Sequence, residues 1–315
     1  MIAGVTGATG FVGRLVVEQH AARGDRVRIL TRRDGGDGAT PPGIERVRAD
    51  LNGPPDELSA FVDGLDVLYH CAGETRDEAR MRATNVDGTR NLLAAAAGRI
   101  GRWVQLSSVG AYGPHPTGLV TEDEPPHPEG EYEVTKTEAD QLVSARAAAS
   151  GFPYSILRPC KILGVGMRDR SLLAMFALAR RGAFFYIGRP GAILNYVHVS
   201  DVARALALAG TQPAASARTY NLARQITVEA FAAAIARALG VRPPWLRLPE
   251  KPVRLLARIT FWIPRNPLTM GRIRGLTSRT VYSGERIERE LGYRYSVSIE
   301  QGLEELVAAW RGDLG

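Results

Sequence analysis

Residues 1–15 read MIAGVTGATGFVGRL. An apolar run from Ile2 to Thr6 breaks at Gly7, Gly10 and Gly13, and an amphipathic stretch then continues to Arg23. The pattern predicts a short strand, a tight glycine turn and the start of a helix. At such a junction unpaired backbone N–H groups and the positive end of the helix dipole converge on one point, which attracts phosphate.

Further β-like runs follow at Arg26 to Leu30, Ile44 to Arg48, Val67 to Cys71, Trp103 to Ser107 and Tyr154 to Leu157, with alanine-rich helical spacing between them, as at Asn85 to Ala97. This alternation predicts an α/β fold, a Rossmann-type doubly wound parallel sheet with helices on both faces. In that setting the glycines read as a dinucleotide-binding turn. Gly7 permits the turn, Gly10 lets the backbone approach a pyrophosphate and Gly13 packs the helix on the sheet. A tight turn holding no ligand is the alternative.

After Pro159 the rhythm changes. A helix is expected at Ser171 to Arg181, and LNYVHVSDVARALALAG, residues 194–210, reads as a strand and helix returning to the first domain. The expected division is a dinucleotide-binding domain of residues 1–163 plus 192–216 and a smaller substrate-binding lobe of 164–191 plus 217–315. Between Arg237 and Arg289 there are 12 basic residues against three acidic ones, which suits either a solvated face or a diphosphate-binding lobe. KPVRLLARITFWIP, residues 251–264, is expected to pack its apolar stripe on its own domain; contact with a membrane or with an apolar substrate is the alternative.

Composition narrows the classes. A hydrophobic content of 45% with 23% charged residues is that of a soluble globular chain. No apolar run is long enough to span a bilayer and no cationic secretory start is present, so the cytoplasm is the expected location. Cys71 and Cys160 could form one disulfide at most and lack metal-ligand spacing; both are expected reduced, with no metal. The net charge of +7, carried mostly by arginine, suggests an anionic ligand. No basic patch interleaved with aromatics is present, and nucleic acid is not expected as a partner.

The second strand continues as RVRILTRRDG, residues 26–35, and its end should lie beside an adenosine ribose. Thr31 stands where a carboxylate would bond both ribose hydroxyls, and Arg32 and Arg33 follow it. Two guanidiniums beside a small hydroxyl favour a 2′-phosphate, hence NADP(H), with NAD(H) still possible.

Further segments arrive in order: Ala49–Asp50, YHCAG at 69–73, NVDGTRNLL at 85–93, LSSVGAYG at 106–113, YEVTK at 132–136, LRP at 157–159, NYVHVSDVARAL at 195–206 and a closing LGYRYSVSIEQGL. Together they resemble the extended short-chain dehydrogenase/reductase family, the nucleotide-sugar epimerase/dehydratase group with its steroid-dehydrogenase-like relatives, over nearly the whole chain. The resemblance implies catalysis by Ser108, Tyr132 and Lys136. Hydride transfer to or from a carbinol carbon needs a proton moved at its oxygen. Lys136, one helical turn after Tyr132, is expected to lower the phenol pKa and to bond the cofactor ribose. Ser108 would orient the reacting oxygen, with Ser107 the weaker candidate.

The resemblance also implies a cofactor site of Gly7, Thr9, Gly10, Phe11, Val12, Gly13 and Arg32, with Asp50 and Leu51 flanking the adenine and Ala72 and Gly73 lining the channel. Asn85 would belong to that site or act structurally, and Pro159 and Ile162 would border the nicotinamide, joined there by Tyr132 and Lys136. His198 and Asp201 are expected to form a structural pair. Dehydratases of this family carry a threonine-aspartate-glutamate run; here Val109 and Gly110 stand in the acidic positions, which argues against a 4,6-dehydratase.

What remains is a reductase or dehydrogenase, with a nucleotide-linked keto sugar as the first expectation because of Arg247, Arg272, Arg274 and Arg279. Alternatives are an NAD-dependent epimerase, a steroid-dehydrogenase-like enzyme acting on a lipid-like alcohol, and a dinucleotide-binding regulator without activity. The resemblance also implies a homodimer, with the helices containing Asn85 to Ala97 and Tyr132 to Ala149 forming its seam.

Overall fold

The computed structural model describes residues 1–32, 42–115, 117–167, 169–260, 262 and 268–312. Arg33, one of the two arginines invoked for a 2′-phosphate, lies outside the described residues. A seven-stranded sheet dominates. From edge to edge its strands are Arg218–Leu222, Tyr154–Pro159, Trp103–Leu106, Val67–His70, Ile2–Thr6, Arg26–Thr31 and Ile44–Arg48, every neighbouring pair parallel. The order reverses between Ile2–Thr6 and Val67–His70, which opens a crevice at the carboxyl ends of those strands.

Parallel strands covered on both faces read as continuous apolar runs rather than alternating ones, and Val67–His70 is buried at every position. On the first helix, Gly13–Ala22, the buried positions Gly13, Val16, Val17 and His20 recur at helical spacing and face the sheet. The long helix Glu131–Ser150 ends where Gly151 adopts φ +73°, a left-handed cap.

The lobe departs from the sequence reading in two places. Ile193–His198 does not join the large sheet; it pairs parallel with Lys161–Leu163 and antiparallel with Arg224–Thr227 in a separate three-stranded sheet. Only its following helix, Val199–Thr211, returns to pack on Gly13–Ala22. Conversely, Arg218–Leu222, assigned to the lobe, supplies the large sheet with its edge strand beside Tyr154–Pro159. Both strands are short, and pairing partners far apart in sequence leave no local signal.

The amphipathic helix Glu250–Ile259 meets a third expectation only in part. Val253 and Ala257 pack against Ile187 and Ile273, but Leu255, Leu256 and Ile259 stay exposed. Among the described residues no helix is long and apolar enough to cross a membrane.

Candidate active site

The crevice opens into a cleft of about 1890 Å³ between the large sheet and the lobe. Its floor begins with the glycine turn. Gly7 has φ +65°, and a Cβ there would stand 2.7 Å from the Ala72 nitrogen. A Cβ at Gly13 would stand 2.3 Å from the Gly7 oxygen, so both positions exclude any side chain. Gly10 donates its N–H to Gly7 O at 2.9 Å and leaves its other face open to the cleft. Thr9, Phe11 and Val12 line the same end.

Along one wall lie Thr31, Arg32, Asp50, Leu51, Ala72 and Gly73. Arg46, which sequence reasoning missed, joins them from the neighbouring strand, where it sits in register with Ile29. Arg32 and Arg46 are both exposed, and neither has a side-chain partner among the described residues. Backbone closed against any Cβ at the switch point of the sheet fits the pyrophosphate of a dinucleotide.

Asn85 does not line the cleft. It is buried behind the wall, accepting from Glu74 N at 2.8 Å and donating to Glu74 O at 3.1 Å and Thr135 Oγ1 at 3.0 Å. Those bonds tie the strand-end loop to the long helix. The asparagine therefore shapes the cofactor wall without touching its surface. It also sits in a π-helical turn, Arg82–Asp87, where the sequence predicted regular helix.

The opposite end gathers Ser108, Tyr132, Lys136, Pro159 and Ile162. Two adjacent serines are separated by their bonding. Ser107 Oγ donates at 2.7 Å to buried Asp140, which also receives Arg158 Nε and an Arg158 terminal nitrogen at 3.2 and 3.1 Å. Ser107 is thus committed to the core. Ser108 Oγ accepts from Gly110 N at 3.1 Å, capping the short turn Val109–Tyr112, and its hydroxyl also meets the Tyr132 phenol.

Lys136 Nζ donates to Leu106 O at 2.6 Å. Burial lowers its pKa, and the Asp140 carboxylate one turn further along the helix opposes that fall. The expected acidification of Tyr132 is not found. Burial pushes the phenol up to about 12, the Glu133 carboxylate adds to the rise and Ser108 works against it. Lys136 directs one N–H to the Leu106 carbonyl, and burial keeps the phenol a neutral donor.

Glu133 is a second residue missed in the sequence. It lines the cleft against Gly110, where a Cβ would lie 2.7 Å from Glu133 Cγ. Glycine at 110 makes room for a carboxylate delivered from the helix. As the immediate neighbour of Tyr132 it looked like a residue of a different helix face, so spacing gave no cue.

The other expectations divide. His198 and Asp201 are structural but do not pair: His198 meets Ser200 Oγ at 2.7 Å and Glu305 at 3.2 Å, while Asp201 accepts from Ser296 N at 3.0 Å and Val297 N at 3.2 Å. Of the four arginines read as a diphosphate site, Arg274 alone lines the cleft. Arg247 pairs with Glu229 at 2.6 Å, and Arg279 donates to Pro190 O and Gly191 O at 2.5 and 3.2 Å. Both arginines hold the lobe together. Cys71 and Cys160 are free thiols, and the described residues hold no cluster able to bind a metal ion.

A doubly wound parallel sheet, a glycine turn at its switch point and a serine, tyrosine and lysine on one cleft define an NAD(P)-dependent oxidoreductase of the extended short-chain class. Residues 3–223 match the NAD dependent epimerase/dehydratase family, and the chain belongs to it. A 4-hydroxy-2-methyl-3-oxo-4-farnesyl-3,4-dihydroquinoline-1-oxide ketoreductase of Stigmatella aurantiaca is 27% identical, the match covering 96% of this chain and 94% of that one. Sterol demethylase protein B of Methylococcus capsulatus is 31% identical over 91% and 92% of the two chains. A short-chain dehydrogenase/reductase superfamily protein from Agrobacterium tumefaciens, solved with bound NAD, superposes with a TM-score of 0.77 at 23% identity, covering 100% of this chain and 98% of its own.

Proposed function

We propose that the chain is an NADP(H)-dependent ketone reductase, reversible as a secondary-alcohol dehydrogenase, acting on a lipid-like substrate. The observation that carries the chemistry is the convergence of Ser108, Tyr132 and Lys136 at the cleft end opposite the glycine turn. The coenzyme, when bound, supplies or accepts the hydride. Gly7, Gly10 and Gly13 would hold its pyrophosphate, and Arg32 with Arg46 its 2′-phosphate. Tyr132 Oη, kept protonated by its surroundings, gives its proton to the ketone oxygen, and Ser108 Oγ donates a second hydrogen bond to that oxygen. The phenolate left behind is stabilised by the nearby Lys136 ammonium and regains its proton from solvent.

For substrate class, the tying of Arg247 and Arg279 into the lobe removes much of the case for a nucleoside diphosphate. Met167, Ile193, Leu194, Tyr196 and Tyr282 give the lobe side of the cleft an apolar character. The ketoreductase of Stigmatella aurantiaca, named for a farnesylated substrate, supports the same direction. A second reading, a nucleotide-linked keto sugar, keeps one specific observation, Arg274 on the cleft wall.

The deciding experiment offers NADPH with an alkyl or terpenoid ketone and, separately, with a nucleotide-linked 4-keto sugar, following coenzyme oxidation. Turnover confined to the apolar ketone supports the proposal; turnover confined to the sugar replaces it with the second reading. Interconversion of a UDP-sugar with no added coenzyme would instead mark an epimerase.

A further inference from the structure

Six of the nine large apolar side chains that stand exposed among the described residues fall between Trp245 and Trp262. They are Trp245, Leu246, Leu255, Leu256, Ile259 and Trp262, with the two tryptophans 87% and 70% exposed. Scattered exposed leucines need no explanation, but a concentration of this kind marks an interaction surface. Leu255 and Ile259 are one turn apart and lie along one stripe of the helix Glu250–Ile259, and Trp262 stands exposed three residues further on.

Charge accompanies the stripe. Residues 240–260 contain five basic side chains and a single acidic one, Glu250, which Arg254 neutralises at 2.6 Å. Lys251 and Arg258 remain exposed on the same helix. The helix is short, amphipathic and firmly seated, since Val253 and Ala257 pack on Ile273. Ile273 belongs to the helix Met270–Thr277, whose Arg274 and Gly275 form part of the cleft wall.

We propose that this face docks the protein on an anionic phospholipid surface, with the leucine-isoleucine-tryptophan stripe entering the acyl boundary and Lys251 and Arg258 meeting headgroup phosphates. Interfacial helices combine these features: an apolar stripe, basic flanks and tryptophans at the level of the headgroups. A second copy of the chain fits less well, because self-pairing would bring Lys251 and Arg258 toward the same charges on the other copy. The docking helix packs on Met270–Thr277, whose Arg274 and Gly275 line the cleft. The inference concerns this face alone and does not depend on the substrate class.

The test floats the purified full-length chain with vesicles of phosphatidylcholine alone or of phosphatidylcholine containing phosphatidylglycerol. Flotation with the anionic vesicles, weakened by added salt and accompanied by a blue shift of tryptophan emission, is expected. The double variant Leu255→Glu/Ile259→Glu should lose flotation. Lys251→Glu/Arg258→Glu, which leaves the apolar stripe whole, should weaken partitioning at least about tenfold. NADPH affinity should be unchanged in both, which shows that they fold. Absence of flotation with anionic vesicles, or flotation of the leucine-isoleucine variant equal to that of the parent, would overturn the proposal. So would a parent chain that does not float and whose sedimentation mass falls on Leu255→Glu/Ile259→Glu, since the face would then belong to a second copy. Failure here would leave ketone reduction in solution untouched, and loss of turnover would leave flotation untouched.

Discussion

On the sheet side of the cleft, the lining residues follow strand ends in chain order: Gly7 to Gly13 after the first strand, Arg32 after the second, Ala72 and Gly73 after Val67–His70, Ser108 after Trp103–Leu106. On the lobe side they come from four separated segments, around Lys161, Met167, Leu194 and Thr280. Backbone geometry dictates the first set, because a parallel sheet with short loops delivers its strand ends to one edge. Side-chain packing dictates the second, and nothing local in the sequence announces which residues will meet. On the proposed reading, the chemistry belongs to the ordered half and the choice of substrate to the assembled half. Each variant below strikes one half and spares the other.

The largest effect is expected from Tyr132→Phe, which removes the proton donor and keeps the ring. Turnover should fall by about 10²–10⁴-fold while NADPH affinity holds. Steady-state kinetics paired with a fluorescence titration of the coenzyme reads both. Undiminished turnover would move the proton transfer to another group, with Glu133 the nearest carboxylate on the cleft.

Next comes Arg32→Ala. If its guanidinium meets a 2′-phosphate, NADPH affinity should drop by about 10–100-fold, the worth of a charge-assisted hydrogen bond, with NADH affinity unchanged. An equal loss for both coenzymes would make Arg32 a general anion attractor. Arg274→Ala is the counterpart on the lobe side. It should leave coenzyme binding alone and raise KM only for a substrate that carries phosphate.

The legibility of the chain follows the same boundary. The six strands expected up to residue 160 are present within a residue or two, since each combines an apolar run with a glycine or helix start that punctuates it. Ser108, Tyr132 and Lys136 were named from the resemblance carried by LSSVGAYG and YEVTK; the fold brings them to one end of the cleft, Ser108 from beside a strand end and the other two from the helix Glu131–Ser150. Arg46 was not, being one of many surface arginines whose meaning depends on a neighbouring strand in register. Nor was the exposure of Leu255 and Ile259, because a periodic apolar stripe looks the same whether a partner covers it or not. The pKa of Tyr132 was misjudged for a related reason. Spacing along the helix placed Lys136 one turn away, but could not show that the phenol would be buried beside the Glu133 carboxylate; burial and carboxylate together push its pKa up.

That misjudgement yields a finer test. The Glu133 carboxylate raises the Tyr132 pKa, so Glu133→Gln should lower it. Alcohol oxidation needs the phenolate and should gain rate at lower pH than in the parent, while the alkaline loss of ketone reduction should move to lower pH as well. An unmoved profile in both directions would mean that Glu133 does not act on the phenol.

The last effect concerns the sheet itself and is read in stability rather than in turnover. His70 is buried between Thr6 Oγ1 at 2.7 Å and Thr89 Oγ1 at 3.0 Å, and burial lowers its pKa to about 3. An unfolded chain binds a proton at this imidazole below about pH 6.5, whereas the folded chain does not until about pH 3. In that window the unfolded state holds more protons, so stability falls as pH falls, by up to about 1.4 kcal/mol per unit. Above the window both states are neutral and the residue makes no pH-dependent contribution. His70→Gln, which can still bond both threonines, should flatten the acid limb of the urea midpoint against pH and leave the midpoint at neutral pH within about 1 kcal/mol. The imidazole lies at the end of the strand that carries Ala72 and Gly73 to the cleft. An acid limb that stays steep in this variant would place the acid sensitivity outside the sheet.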